Sequence, residues 1–158
     1  MYEIVEMTLN PQPTMVMRGT IAVEEMGQWL PKAFWTVSQS ITDAGGHMAG
    51  PPFARYEPVE GSPGHFEVEA GFPVFVVIEG KRDVFASELP GGHTAHLWHI
   101  GPYENMEADY HALVEWIAAR HGKPYGGPWE VYHSDPQKEP DPATWRTEIY
   151  MPYHLDFI

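Results

Sequence analysis

The chain has 158 residues, enough for one domain or two small fused units with a sizeable core, and nine Lys and Arg against 22 Asp and Glu leave it at −13. A surface so acidic repels nucleic acid and anionic lipid and favours cationic ligands or basic protein patches, so direct DNA binding is not expected. The absence of cysteine excludes disulfides, thiolate metal ligands and a thiol nucleophile.

The amino end, "MYEIVEM", carries acids where a secretory signal carries Lys or Arg, and no apolar run approaches the ~20 residues of a membrane span. A soluble, cytoplasmic chain without membrane contact is the expectation. The first strand-like run is "TMVMRG". It leads into "VEEMGQWLPKAFWTVSQSITDAGG", where Met26, Leu30, Phe34, Val37 and Ile41 recur at helical spacing before Gly45 and Gly46 stop the pattern. Pro31 implies a kink, or a helix that begins close to it. "GPPFARY" (Gly50 to Tyr56) then reads as a glycine-proline entry into a strand, and "EAGFP" (Glu69 to Pro73) as part of another. "VFVVIEGKRDVFASELPGG" (Val74 to Gly92) holds a strand or two and a turn, being too apolar at Val74 to Ile78 for a disordered linker.

The same order then returns. "TAHLWHIG" is a strand, and "ENMEADYHALVEWIAARHGKP" is a helix with Met106, Tyr110, Leu113 and Ile117 on one stripe, closed by Arg120, Gly122 and Pro124. "GGPWEVY" (Gly126 to Tyr132) and "EIYMP" (Glu148 to Pro152) match "GPPFARY" and "EAGFP". Four landmarks in one order, twice, predict an α+β fold of duplicated βαββ units with pseudo-twofold symmetry. The expected form is one domain over 1–158, with repeats at about 1–75 and 84–153, an antiparallel sheet and both helices on one side. A groove between the repeats is the expected pocket, and residues 13–73 should overlay 93–152 with Glu69 on Glu148.

In "TEIYMPY", alternation puts Thr147, Ile149 and Met151 on one strand face and Glu148 with Tyr150 on the other. Pattern alone reads Glu148 as a solvated carboxylate, with Arg146 as a weak surface partner. Tyr56 and Tyr132 hold equivalent positions, with Phe53 and Trp129 three residues earlier. They read either as core with the hydroxyl at the rim or as two sides of an aromatic cage. Trp98 and Tyr103 flank "HIGP". Trp35 and Trp116 lie off the helical stripes and are weaker choices than Trp98. His93, His96 and His99 recur every third residue, but in a strand His96 points away from the other two, so no metal site is expected. Hydrolase, P-loop and dinucleotide signatures are absent. "SDPQKEPDP" (Ser134 to Pro142) is a proline-braced loop whose acids read as solvated turn residues.

"ELPGG" followed by "HIGPYENM", then "WEVYHSDP…TEIYMP", with "GPPFARY" in the first half, resembles the GyrI-like small-molecule-binding domain family. This is the effector-binding domain at the carboxyl end of multidrug-responsive transcription activators, also found alone. The resemblance runs from about Met1 to Pro152. It implies the duplicated βαββ fold and a central pocket for hydrophobic, often cationic, aromatic compounds. The anchor it implies is a glutamate on the last strand, which by motif falls on Glu148; the aromatic residues read above, Tyr56, Tyr132, Trp98, Tyr150, Phe53 and Tyr103, are the candidate lining. No cofactor is implied. No stretch reads as a helix-turn-helix, so promoter control would need a separate regulator. Three functions share this fold: a stand-alone binder, a hydrolase of cyclopropane- or epoxide-like electrophiles with Glu148 as general base, and a gyrase-modulating interaction protein in which the acidic surface is the working part. The oligomeric state is not legible.

Overall fold

The computed structural model describes residues 3–135 and 138–155; Met1 and Tyr2 of the acidic amino end, Pro136 and Gln137 of the proline-braced loop, and residues 156–158 lie outside them. In chain order the elements are β1 (Val5–Leu9), β2 (Gln12–Ala22), α1 (Met26–Asp43), β3 (Phe53–Pro58), β4 (His65–Pro73), β5 (Phe85–Leu89), β6 (Gly92–Ile100), α2 (Glu107–Ala119), β7 (Gly122–Pro124), β8 (Trp129–Tyr132) and β9 (Arg146–Leu155). Two compact units result: residues 11–90, and residues 1–10 with 91–158. No helix among the described residues is long and apolar enough to cross a membrane.

Residues 11–90 order their strands β3-β4-β2-β5, every neighbour antiparallel. The second unit orders its strands β8-β9-β6-β1, with β7 on the far end of β9. The two ladders share a register. Arg18 and Arg55 face Glu69 from either side, as Trp98 and Val131 face Glu148. The position that "EAGFP" and "EIYMP" share in sequence is therefore shared in the ladder.

The unit boundaries differ from the expected 1–75 and 84–153. β1 precedes β2 in the chain but pairs with β6, while β5 precedes β6 but pairs with β2. Each leading strand thus joins the other half of the chain. Local pattern cannot announce this, because the partner that accepts an edge strand is a tertiary choice.

Both helices pack on their strands through the expected periodicity. α1 buries Ala33, Val37 and Ile41, and Phe34 meets Phe72 edge-on at 6.1 Å. Its core adds Met15, Val74 and Val84. Pro31 sits inside the helix rather than at its start; having no N–H, it leaves the Gly27 carbonyl without its helical amide. α2 buries Leu113 and Ile117 against Ala95, Leu97, Ile149, Met151 and Tyr153. Each fully buried aliphatic side chain of this kind contributes about 1.5–3 kcal/mol.

One local expectation is corrected. The residue that leaves α2 in the left-handed region is His121, at φ 60°, not Gly122. Gly122 is needed for closeness instead, since a Cβ there would lie 2.9 Å from Ile117 and 3.0 Å from Tyr153. The stretch from Val74 to Gly92 holds one strand, β5, as expected; of its apolar run, Val74 forms a bridge to Met48, while Phe75, Val76 and Val77 are exposed.

Two glycines give opposite expectations for alanine. At Gly71 a Cβ would stand 1.9 Å from the Met15 carbonyl oxygen and 2.9 Å from the Val16 Cα, both backbone atoms that cannot yield cheaply. Gly71→Ala should cost about 2–4 kcal/mol in chemical denaturation. Gly27, in α1 with nothing within 4 Å, should gain about 0.5–1 kcal/mol on becoming alanine.

Candidate ligand-binding site

β9 is hydrogen-bonded to β6 along one edge and to β8 and β7 along the other. Its side chains can therefore point only up or down. Thr147, Ile149, Met151 and Tyr153 are buried, the last three in the core under α2. Alternation sends Glu148 and Tyr150 to the opposite face. The neighbours that share that face are set by register: His96 and Trp98 from β6, and Trp129 and Val131 from β8 with His133 just beyond it.

Glu148 is not a solvated strand carboxylate. Its side chain is 13% exposed, and Arg146 turns away to pair with Glu139 at 3.0 Å. Three donors hold the carboxylate. His96 Nε2 donates to Oε2 at 2.8 Å, the Tyr150 hydroxyl donates to the same oxygen at 2.5 Å, and His133 Nε2 donates to Oε1. Burial by itself would raise the acid's pKa, but the bonds from His96, Tyr150 and His133 outweigh it and hold the group at about 2. Tyr150 shifts the other way, pushed up by burial, then by its hydrogen bond to Glu148 and that group's charge, so it stays a donor.

Aromatic rings surround this anion. Tyr150 stacks on Trp129 at 5.3 Å and 12° and lies 4.7 Å from the His96 ring. Trp98 stands 4.8 Å from the His133 ring and meets His96 edge-on at 6.0 Å. Trp129 is buried, whereas Trp98 is 39% exposed and leaves ring surface open beside the carboxylate.

Of the residues named from sequence, Glu148, Tyr150 and Trp98 come together. Tyr132 and Tyr103 do not join them. Tyr132 pairs with Thr147, on the buried side of β9, and its hydroxyl donates to Glu130 at 2.8 Å. Tyr103 packs edge-on against Tyr132 at 5.8 Å and lies on Trp145 at 4.9 Å. In the other unit Tyr56 packs edge-on to Phe66 at 6.2 Å, on the face of β3 opposite to Phe53. A place for Tyr132 beside Glu148 is thus corrected: Tyr132 stands three residues from Trp129, and residues three apart in a strand cannot share a face. The pairs Phe53/Tyr56 and Trp129/Tyr132 are both split in this way. Trp35 is solvent-exposed, and Trp116 packs under Arg120, whose guanidinium carbon is 3.6 Å from the ring centroid.

His96, His133 and Trp129 were missed as site residues. The available signal was parity: Trp129, Val131 and His133 alternate together, as do His96 and Trp98. The three histidines of β6 meet three separate carboxylates, Glu6, Glu148 and Asp109. Among the described residues no group of three His, Cys, Asp or Glu could hold a metal ion. His96 and His133 bind different oxygens of Glu148, which suits a clamped carboxylate and not a shared ion.

The equivalent positions of residues 11–90 carry other chemistry. Where His96 faces Tyr150 in β6–β9, Val16 faces Gly71 in β2–β4. Trp98 is replaced by Arg18, whose Nε lies 3.3 Å from Glu69. The Ser87 hydroxyl donates to Glu69 at 2.8 Å. That glutamate already has a cation, so it offers an incoming one little.

A second glutamate lies on the helix side of the second unit. Glu130 is buried and accepts hydrogen bonds from Tyr132 and Tyr110. Burial raises its pKa more than the two hydroxyls and the nearby His99 lower it. The two acids therefore pull stability in opposite directions with pH. Glu148, depressed to about 2 from 4.5, adds stability that is complete above about pH 4.5 and lost as the pH falls towards 2. Glu130, raised, stabilises most while protonated and costs stability as the pH rises through and beyond its ordinary range. In pH-resolved denaturation, Glu148→Gln should remove the acid-side loss and lower stability at pH 7. Glu130→Gln should hold or raise stability at pH 7 and flatten the loss that sets in as the pH rises past about 4.5.

No curated protein matches the sequence. Solved structures do. The C-terminal domain of EcmrR superposes with TM-score 0.85 at 19% identity, over 98% of this chain and 99% of that one. The chain spans 58% of the EcmrR chain seen in its complex with DNA, at TM-score 0.83, 19% identity and 98% coverage of this chain. A hydrolase from Listeria innocua matches with TM-score 0.70 at 11% identity, over 96% of this chain and 92% of that one. SAV2435 bound to tetraphenylphosphonium matches with TM-score 0.60 at 13% identity, over 96% and 94%. Identities this low show the shared α+β fold alone. The model of the GyrI-like small molecule binding domain covers residues 2–154, and the chain belongs to that family.

Proposed function

We propose that this GyrI-like domain captures hydrophobic aromatic cations at Glu148, with Trp98 and Tyr150 as ring surfaces. The observation that carries this reading is a carboxylate that is 13% exposed yet held ionised by three donors. A fixed anion among ring faces attracts a cation by charge and through the aromatic quadrupole together. Three donors occupy most of the four lone-pair sites of a carboxylate. The anchor therefore acts mainly as a charge, which suits bulky cations that carry no N–H of their own. SAV2435, a structural relative, is known bound to one such cation, tetraphenylphosphonium.

The hydrolase reading asks Glu148 to take a proton from water. A general base works best with a pKa near the working pH, and a carboxylate held at about 2 is far below it. That favours the binder, and no specific observation favours a gyrase-modulating role.

Glu148→Gln separates the readings, because it keeps shape and removes charge. A carboxylate–cation attraction at ~5 Å and an effective dielectric near 20 is about 3 kcal/mol before desolvation. Tetraphenylphosphonium should accordingly lose about ten- to a hundred-fold in affinity. Triphenylphosphine oxide, neutral and similarly shaped, should lose little. If the domain instead hydrolyses epoxide- or cyclopropane-like electrophiles, turnover should drop by about 10²–10⁴ with affinity almost unchanged. Equal binding of the phosphonium by both proteins would end the cation reading.

A further inference from the structure

We infer that His96 and His133 make capture at Glu148 an exchange, in which a bound cation replaces protons carried by the two imidazoles. The inference rests on the cation reading above and concerns what sets the charge of that same site.

The geometry is a carboxylate gripped from two strands. His96 reaches it from β6, on the Tyr150 side of the register, and His133 from the end of β8, on the Arg146 side. Each directs Nε2 at a different carboxylate oxygen. An ionised carboxylate only accepts, so each facing nitrogen carries a hydrogen in the neutral ring and in the imidazolium alike. The second proton enters at Nδ1, and the grip on Glu148 is the same before and after. Protonation thus leaves the hydrogen bonds in place and changes the charge. With both rings neutral the cluster carries −1; with one proton it carries 0, and with two it carries +1.

On the strands that carry the cluster, other charged groups are engaged elsewhere. On β6, His93 meets Glu6 and His99 meets Asp109, both on the opposite face. On β9, Arg146 pairs with Glu139, and Tyr150 stays protonated beside Glu148. Glu130 of β8 is taken by tyrosines beneath the sheet. The groups that act on Glu148 are His96, Tyr150 and His133. Of these, only the two imidazoles can take up a proton and keep their hydrogen bond to Glu148.

The His133 side chain is 24% exposed and that of His96 is 5%. His133 is therefore the ring with direct access to solvent for its proton. It also lies 4.8 Å from Trp98, the ring surface open to a ligand. An imidazolium there would meet a stacked cation at close range. Binding then proceeds by loss of that proton to solvent, with no covalent bond made or broken in the ligand.

The test uses the full chain and tetraphenylphosphonium, whose charge cannot titrate. Calorimetric titrations from pH 5 to 8, in buffers of different ionisation enthalpy, give affinity and the protons released. Affinity should fall about ten- to a hundred-fold from pH 8 to pH 5, the size expected for one or two added charges near 5 Å. Proton release on binding should accompany the fall, and triphenylphosphine oxide should show neither effect. Replacing both rings by glutamine (His96→Gln with His133→Gln) keeps a donor at similar reach and cannot titrate, so its affinity should be flat. His133→Gln alone should reduce the slope, and the wild-type proton count needs no variant. Wild-type affinity that is flat with pH, without proton release, overturns the exchange and leaves cation capture standing. A double variant that keeps the wild-type slope also overturns it. No binding of the phosphonium at pH 8 rejects capture and exchange together.

Discussion

The constraint on which the second unit depends is the alternation of β9. A strand bonded along both edges has no freedom to rotate a residue from one face to the other. Burying Ile149 and Met151 beneath α2 therefore commits Glu148 and Tyr150 to the opposite side. A slip of one residue would drive Glu148 into an aliphatic core and lift Ile149 out of it. The first costs several kcal/mol for an unpaired charge, and the second forfeits about 1.5–3 kcal/mol of burial. The helix core thereby sets the register of the site without touching it.

Two glutamates on the two faces of this sheet show how surroundings divide the roles of one side chain. Glu148 and Glu130 each accept tyrosine hydroxyls. Glu148 adds two imidazole donors and keeps a path to solvent, so its charge is held. Glu130 is more deeply buried and lacks those donors, so burial prevails and its charge is resisted. A charge held so firmly makes a good electrostatic anchor and a poor base. The chemistry follows from the number of donors set against the depth of burial.

The two ladders share a register but not a chemistry. Glu69 and Glu148 hold one ladder position, yet Arg18 and Ser87 serve the first while histidines and tyrosine serve the second. The change lies at few positions: Val16 and Gly71 in one ladder stand where His96 and Tyr150 stand in the other. Gly71 could not carry a tyrosine, since even a Cβ there meets the Met15 backbone. Backbone approach in one unit thus excludes the side chain that helps to hold the Glu148 carboxylate in the other.

Much of this was legible in the sequence. Helical spacing located α1 and α2, period-two alternation located β9 and split its faces, and the recurrence of "EAGFP" as "EIYMP" marked equivalent ladder positions. Family motifs directed attention to Glu148. Parity within each strand also held the information that Phe53 and Tyr56, or Trp129 and Tyr132, cannot face the same way. Partnership was different, because it depends on which strands become neighbours. The pairing of β1 with β6 and of β5 with β2, and the approach of His96 and His133 to one carboxylate from two strands, join residues 15 to 91 positions apart in the chain. Local pattern assigns each residue a face, but only the folded sheet chooses the strand beside it, and that choice made Glu148 a clamped anion in place of a surface charge.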